Sequence, residues 1–388
     1  ESHWQQHLAE HRLDPVGDSY FKYLNDKNYN VQKNDGGSSV WNIALGMEKA
    51  GTGGAGVGVA INAQKDTIAA DLTGSQITAS SVNGRALNNL DTTSVAVGAA
   101  VNTGGGNAGI RVSGSGAVSV NSTNNTNKVT FANNTVYADT VTGAAENKAS
   151  ILNVAVQVAA KANGAADGIA WAHNDMDNAN GVYLNGGTYS QKGSGSVPLE
   201  ILLYSRNSAG VGVAAVGAAG SYGENGTSLL TAAGSFALNF GANSTEAVVG
   251  NTADPIILSG VHKLRVLASD EKMNRFTIAG AVDLASNASV GVGASLAMTD
   301  DTVLGNDGKE KDKEKIRAEI NNARITTAKK QDANADITVN ATDTSALSST
   351  AVTFGLISTK DQNLLKGQAA VSTVYSKKAT RAGINNTE

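Results

Sequence analysis

The stretch AGVGVAINAQKDTIAADLTGSQITA, Ala55–Ala79, carries the plan of the whole chain. Small apolar residues alternate with Gly or Ala, a polar turn follows, and two short strand-like pieces flank a Gly corner. The same plan returns in GAVSVNSTNNTNKVTFANNTVYA (Gly116–Ala138) and in GIAWAHNDMDNANGVYLNGGTYS (Gly168–Ser190). Beyond a charged insert it resumes as IRAEINNARITTA (Ile316–Ala328), and the chain closes on QAAVSTVYSKKATRAGINNT. The corner recurs as DLTGSQI, FANNTV, YLNGGTY, EINNARI and GINNT. A unit of this kind cannot bury its apolar face alone, so successive units must stack on one another.

The small-apolar strand recurs at Val57, Val95, Val154, Val211, Val290 and Val352, at intervals of 38, 59, 57, 79 and 62 residues. Most lie near multiples of roughly 20, the length of one β-solenoid coil. The last interval, of 62 residues, includes the charged run GNDGKEKDKEKIRAE, Gly305–Glu319. About 330 residues at ~20 per coil predict about 16 coils and a monomeric rod near 80 Å long, each coil rising ~4.8 Å. Period-2 alternation (Val57, Val59, Ile61; Val95, Val97; Val154, Val156, Val158) predicts strands with the valines facing the core.

Composition agrees with an all-β array. Aromatic residues are 5% and charged residues 16% of 388, with 44 Gly and 3 Pro, so Ala, Val, Gly and Ile must fill a narrow core. At 41% hydrophobic the chain is not disordered by composition. The net charge of −4 without a basic stripe argues against nucleic acid. The absence of cysteine removes a disulfide scaffold, a thiolate metal site and a Cys nucleophile together. No apolar run reaches the ~18 residues of a membrane-spanning helix, so no membrane insertion is expected. With Glu first and the last unit ending at its own corner, the sequence reads as a piece of a longer protein.

Two regions are predicted. Residues 1–54 hold Trp4 and Trp41 and a helix-like HWQQHLAEHRL, and are expected to form an N-terminal cap or part of an embedded or neighbouring subdomain. Residues 55–388 form the array, with the charged insert at about 305–319 as an exposed excursion in which Glu310 and Glu314 are spaced i,i+4.

On GVGVAIN, AVSVN, SVGVGASLA and the corners, the sequence resembles the leukotoxin-like filamentous adhesins of Gram-negative anaerobes. It is similar, more distantly, to autotransporter and filamentous-haemagglutinin passengers. The resemblance covers about residues 55–388. It implies a right-handed parallel β-helix, type V secretion through an outer-membrane translocator, and a cell-surface location. It carries no catalytic residues. SVAVG (Ser94–Gly98) and SVGVG (Ser289–Gly293) also resemble trimeric autotransporter heads, but here the motif recurs only at long intervals.

Candidate sites are few. His173 and His262 lie far from any nucleophile motif, so no Ser-His-Asp arrangement is expected. Asp175, Asp177, Asn178 and Asn180 before Gly181 resemble a loose calcium loop without its closing Glu; the competing reading is a polar turn. Otherwise no cofactor is expected. Asp270/Glu271 and Asp300/Asp301 are pairs that a glycosidase or lyase could use. Trp171, Tyr183, Tyr189 and Tyr222 are the candidate ligand contacts, since aromatics beside polar turns serve as anchors. Asn-x-Ser/Thr recurs at Asn121, Asn133, Asn243 and elsewhere, with Asn at corners read as structural. Together these predict a non-enzymatic surface adhesin segment binding a protein or glycan on host or neighbouring cells. The alternatives are a polysaccharide-active β-helix enzyme or tailspike, or a passive surface-layer or biofilm matrix protein.

Overall fold

The computed structural model describes residues 38–388 apart from 51–52, 104–111, 163, 194–196, 223–227, 252, 254, 272–273, 287, 302–313, 328–334, 359–364 and 377. The helix-like start of the chain and the cap expected there lie outside the described residues, as does Glu310.

The corners form as the sequence predicts. Asn133, Asn322 and Asn386 adopt φ of 53°, 49° and 47°, while Gly74, Gly186 and Gly187 adopt 62°, 64° and 87°. These are the left-handed conformations that Asn and Gly tolerate best. The Asn134 side chain secures the Gly74 corner of the preceding coil: Oδ1 accepts from the Ser75 amide at 2.9 Å, and Nδ2 donates to the Leu72 carbonyl at 2.9 Å.

Between corners the chain runs as strands that stack in parallel into six coils. Coil 1 is β1 (Ser38–Ala50), β2 (Gly54–Gln64), β3 (Thr67–Thr73) and β4 (Gln76–Thr78). Coil 2 is β5 (Ser81–Asn102) and β6 (Val112–Tyr137); coil 3 is β7 (Thr140–Ala162) and β8 (Ala165–Ser190). Coil 4 is β9 (Leu199–Tyr222), β10 (Ser228–Val249) and the start of β11 (Ile256–Asp270). Coil 5 continues through β12 (Asn274–Ser286), β13 (Ala288–Asp300), β14 (Glu314–Asn321) and β15 (Ala323–Thr327). Coil 6 is β16 (Asp336–Asp343), β17 (Ala346–Ser358), β18 (Leu365–Tyr375) and β19 (Lys378–Asn385). An outgoing wall stacks β1, β5, β7, β9, β12 and β17; a return wall stacks β2, β6, β8, β10, β13 and β18. The fold is a parallel β-solenoid.

Each coil is about three times longer than the intervals suggested. Asn62, Asn121, Asn174 and Asn239 stack directly, 59, 53 and 65 residues apart. Val95 pairs with Val154, so their interval is one whole coil. Six coils at ~4.8 Å per step rise only about 24 Å between the first and the last. The walls lengthen the coil because β5 runs 22 residues, and β6 and β8 reach their corners, at Asn133 and Gly186–Gly187, only near the ends of strands of 26 residues. Within the walls a glycine such as Gly98 is a packing device, whereas Gly186 and Gly187 turn the chain.

The phase of the alternation is also opposite to the prediction. Val57, Val59 and Ile61 are 58%, 49% and 62% exposed, whereas Ala60 between them is fully buried. Val97 and Val156 likewise point outward, and Ala96 and Ala155 point in. Around Gly46, Gly56, Gly58 and Gly98 the outgoing and return walls lie too close for valine. A Cβ on Gly56 would sit 1.9 Å from the Ala99 carbonyl oxygen, so only the smallest residues fit there. Across this seam Ser94 Oγ lies 2.9 Å from Ser119 Oγ, and Asn153 Nδ2 donates to the His173 carbonyl at 2.6 Å. Up the stack, buried amides form ladders. One runs Asn62–Asn121–Asn174–Asn239 at 2.8, 2.7 and 3.0 Å, another Asn88–Asn147–Asn207 at 3.1 and 2.9 Å. Each such bond contributes ~1 kcal/mol net, and an orphaned partner costs more.

Beyond the arm formed by the facing walls, the coil widens into a head filled by larger side chains. Phe131, Leu184, Tyr189, Leu199, Ile201, Leu203 and Ile256 are buried together there. The Leu/Ile-rich start of β9, LEILLY (Leu199–Tyr204), belongs there. The array already includes Ser38–Ala50, expected from the sequence in the N-terminal cap or subdomain, since β1 pairs with β5 as the later coils pair with one another. At the other end of the predicted insert, Glu314–Asn321 is strand β14, paired with β10 and β19.

Candidate functional site

The outer face of the return wall carries the chemistry. Strand β8 alternates strictly along its first half, so odd residues face out and even ones in. Trp171 is 39% exposed and lies against Phe236 of the next coil, ring centroids 5.6 Å apart. One row along, His173 lies over Phe240 at 5.4 Å. Burial pushes the His173 pKa below its ordinary value, and the neighbouring Asp175 carboxylate partly opposes this.

Farther along, Tyr183 is half-buried and donates to Glu246 Oε2 at 2.8 Å. Arg317 Nη2 donates to the same oxygen at 2.9 Å, and Lys128 Nζ stands 5.4 Å from the Tyr183 ring centroid. Burial first, then the Glu246 charge and hydrogen bond, hold the Tyr183 phenol well above its usual range. It stays protonated and acts as a donor. The face thus runs from an aromatic pair to a Tyr-carboxylate-guanidinium cluster, a combination suited to stacking on and hydrogen-bonding a polar ligand.

The other predicted residues are dispersed. Tyr222 ends β9 at the far tip of the arm, 58% exposed. Tyr189 is buried in the head, where its hydroxyl accepts from Asn134 Nδ2 at 3.2 Å, so it is a core residue and not a surface contact. Burial pushes its pKa up to about 12. Asp175, Asp177, Asn178 and Asn180 lie on a continuous strand and not in a loop. The carboxylates face out, and the amides face in, where Asn178 Oδ1 accepts from the Asn125 amide and Asn180 Nδ2 donates to Ser205 Oγ at 3.1 Å. The four share no face. Among the described residues no group of three or more His, Asp or Glu is placed to hold a metal ion.

The carboxylate pairs sit in the interior. Asp270, Glu271, Asp300 and Asp301 are all buried. Asp301 is ion-paired to the fully buried Arg275, with Lys378 Nζ 3.8 Å away, and Glu271 to Arg206. Sequence reasoning missed these cationic partners because they come from other strands, Arg275 of the same coil and Arg206 and Lys378 of neighbouring ones. It also missed Phe236, Phe240 and Glu246, whose addition to the face depends on the coil-to-coil register.

Nothing known matches: no protein-family model, no curated protein and no solved structure pairs with this chain.

Proposed function

We propose that this chain is a non-enzymatic segment of a bacterial surface adhesin. It displays the return-wall face to a protein or glycan on host or neighbouring cells. One observation carries the reading: aromatic and hydrogen-bonding side chains lie on a rigid outer wall, while the paired carboxylates lie buried and ion-paired inside the coils. A polymer lying on the wall meets Trp171, Phe236 and Tyr183 but cannot reach Asp301 as a general acid, which supports binding without turnover. Export through an outer-membrane translocator, as the resemblance implies, belongs to the same proposal.

Binding of the purified chain to glycan, glycosaminoglycan and host-matrix panels tests this. Trp171→Ala and Tyr183→Phe should each weaken capture several-fold without altering the β spectrum. Release of reducing or unsaturated sugar ends would defeat the reading, and so would capture indifferent to both substitutions.

A further inference from the structure

The outgoing wall presents a second outer face, and we infer that it is the contact surface for another copy of this chain. Five outward rows cross six strands there, from Trp41, Thr93, Leu152, Gly212, Phe276 and Ser348 to the row that begins at Lys49 and ends at Leu356. Lys49 is the one charged residue among these thirty positions. The ladders that build the face run without a register shift. The result is a flat apolar sheet in which Trp41, Leu45, Met47, Ile278 and Leu356 are 68%, 65%, 76%, 43% and 59% exposed.

Its size suits a dimer. Six strands ~4.8 Å apart and nine residues at ~3.3 Å give about 850 Å². Specific interfaces bury about 800 Å² per partner. A monomer rarely leaves so large an apolar patch uncovered.

Its relief suits this same surface. A two-fold axis along the strands, between coils 3 and 4, sets coil 1 over coil 6, 2 over 5 and 3 over 4. Trp41 then meets Ser348 and Thr93 meets Phe276, large against small in both pairs. At the tip of the arm the wall also holds a groove of about 550 Å³ floored by Ala160 and Gly220 and flanked by Tyr222, Leu284 and Leu356, room for a partner's side chains. The return wall is less suited, because Asp167, His173 and Asp175 interrupt it. The proposed pairing differs from the monomeric rod expected from the sequence.

Sedimentation of the full chain should show a dimer. Val156→Lys, at the centre of the face and pointing outward, should convert it to a monomer with an unchanged β spectrum, while Val118→Lys on the opposite wall should leave the dimer intact. The chain has no cysteine, so a spin label at Val156→Cys reports the contact directly. Two such labels should couple at sheet-stacking range, with faces ~10 Å apart. A monomeric parent would overturn the proposal in favour of a face covered by another part of the chain or by a foreign partner. So would assemblies that grow with concentration and ignore Val156→Lys, which would mean end-on stacking of coils. Loss of the dimer in Val118→Lys alone would assign it to the other wall.

Discussion

Gly98 faces the backbone of Gly116 across the seam of its coil, so closely that a Cβ built on Gly98 would stand 1.9 Å from the Gly116 carbonyl oxygen. The obstacle is main chain, which no rotamer change can move aside. Gly98→Ala should therefore force the walls apart and cost about 3 kcal/mol or prevent folding. Gly116→Ala is the control: its Cβ would meet only the Val57 side chain, at 3.9 Å. That variant should stay within ~0.5 kcal/mol of the parent in urea titration.

The inverted alternation makes a paired prediction on one strand. Ala117 is fully buried in the seam, and its neighbour Val118 points outward. Ala117→Asp places an unpaired carboxylate between walls and should cost several kcal/mol. Val118→Asp should cost about 1 kcal/mol or less. Equal melting temperatures for the two would put the register off by one residue.

Asn174 both receives and gives a ladder bond, from Asn121 at 2.7 Å and to Asn239 at 3.0 Å. Asn174→Ala removes both and orphans two buried groups, an expected loss of about 2–3 kcal/mol. The denaturation midpoint should fall with an unchanged m-value.

Asp283 is fully buried inside the arm, and burial raises its pKa above 3.8, an effect that Thr231 and Lys366 partly offset. The folded chain then holds this proton more tightly than the unfolded chain. Its contribution to stability is complete below pH 3.8 and is lost as pH rises through the raised folded value. Asp283→Asn should raise the melting temperature at pH 7 and change it little at pH 3. An equal shift at both values would rule out the carboxylate charge as the cause.

The corners were legible in the sequence because only Asn and Gly accept their backbone angles cheaply. The alternation was legible as a period but not as a phase. Both sides of each wall strand are apolar, and size normally sends Val inward and Ala outward. Here the seam reverses that rule, as Val97 and Ala96 show. Coil length was hidden because nothing in a 26-residue strand such as β8 announces where its partner lies. Among the aromatics, Trp171 and Tyr183 fell on the outer face while Tyr189 did not. The left-handed Gly186–Gly187 pair intervenes and shifts which parity points inward.

The length of the coil has a kinetic consequence. Spatial neighbours such as Asn88 and Asn147 are 59 residues apart in the chain, so the first ladder can close only over a loop of that size. Compared with a 20-residue coil, closure costs about 1 kcal/mol more, since the penalty grows as (3/2)RT ln n. More decisively, a chain appearing from one end holds no paired coil until about 120 residues are free, because every wall strand finds its first hydrogen-bond partner in another coil. Until then it stays pliable and threadable. Once two coils have met, each later one lays its strands on an edge already in place, so folding passes from a slow search to rapid templated growth.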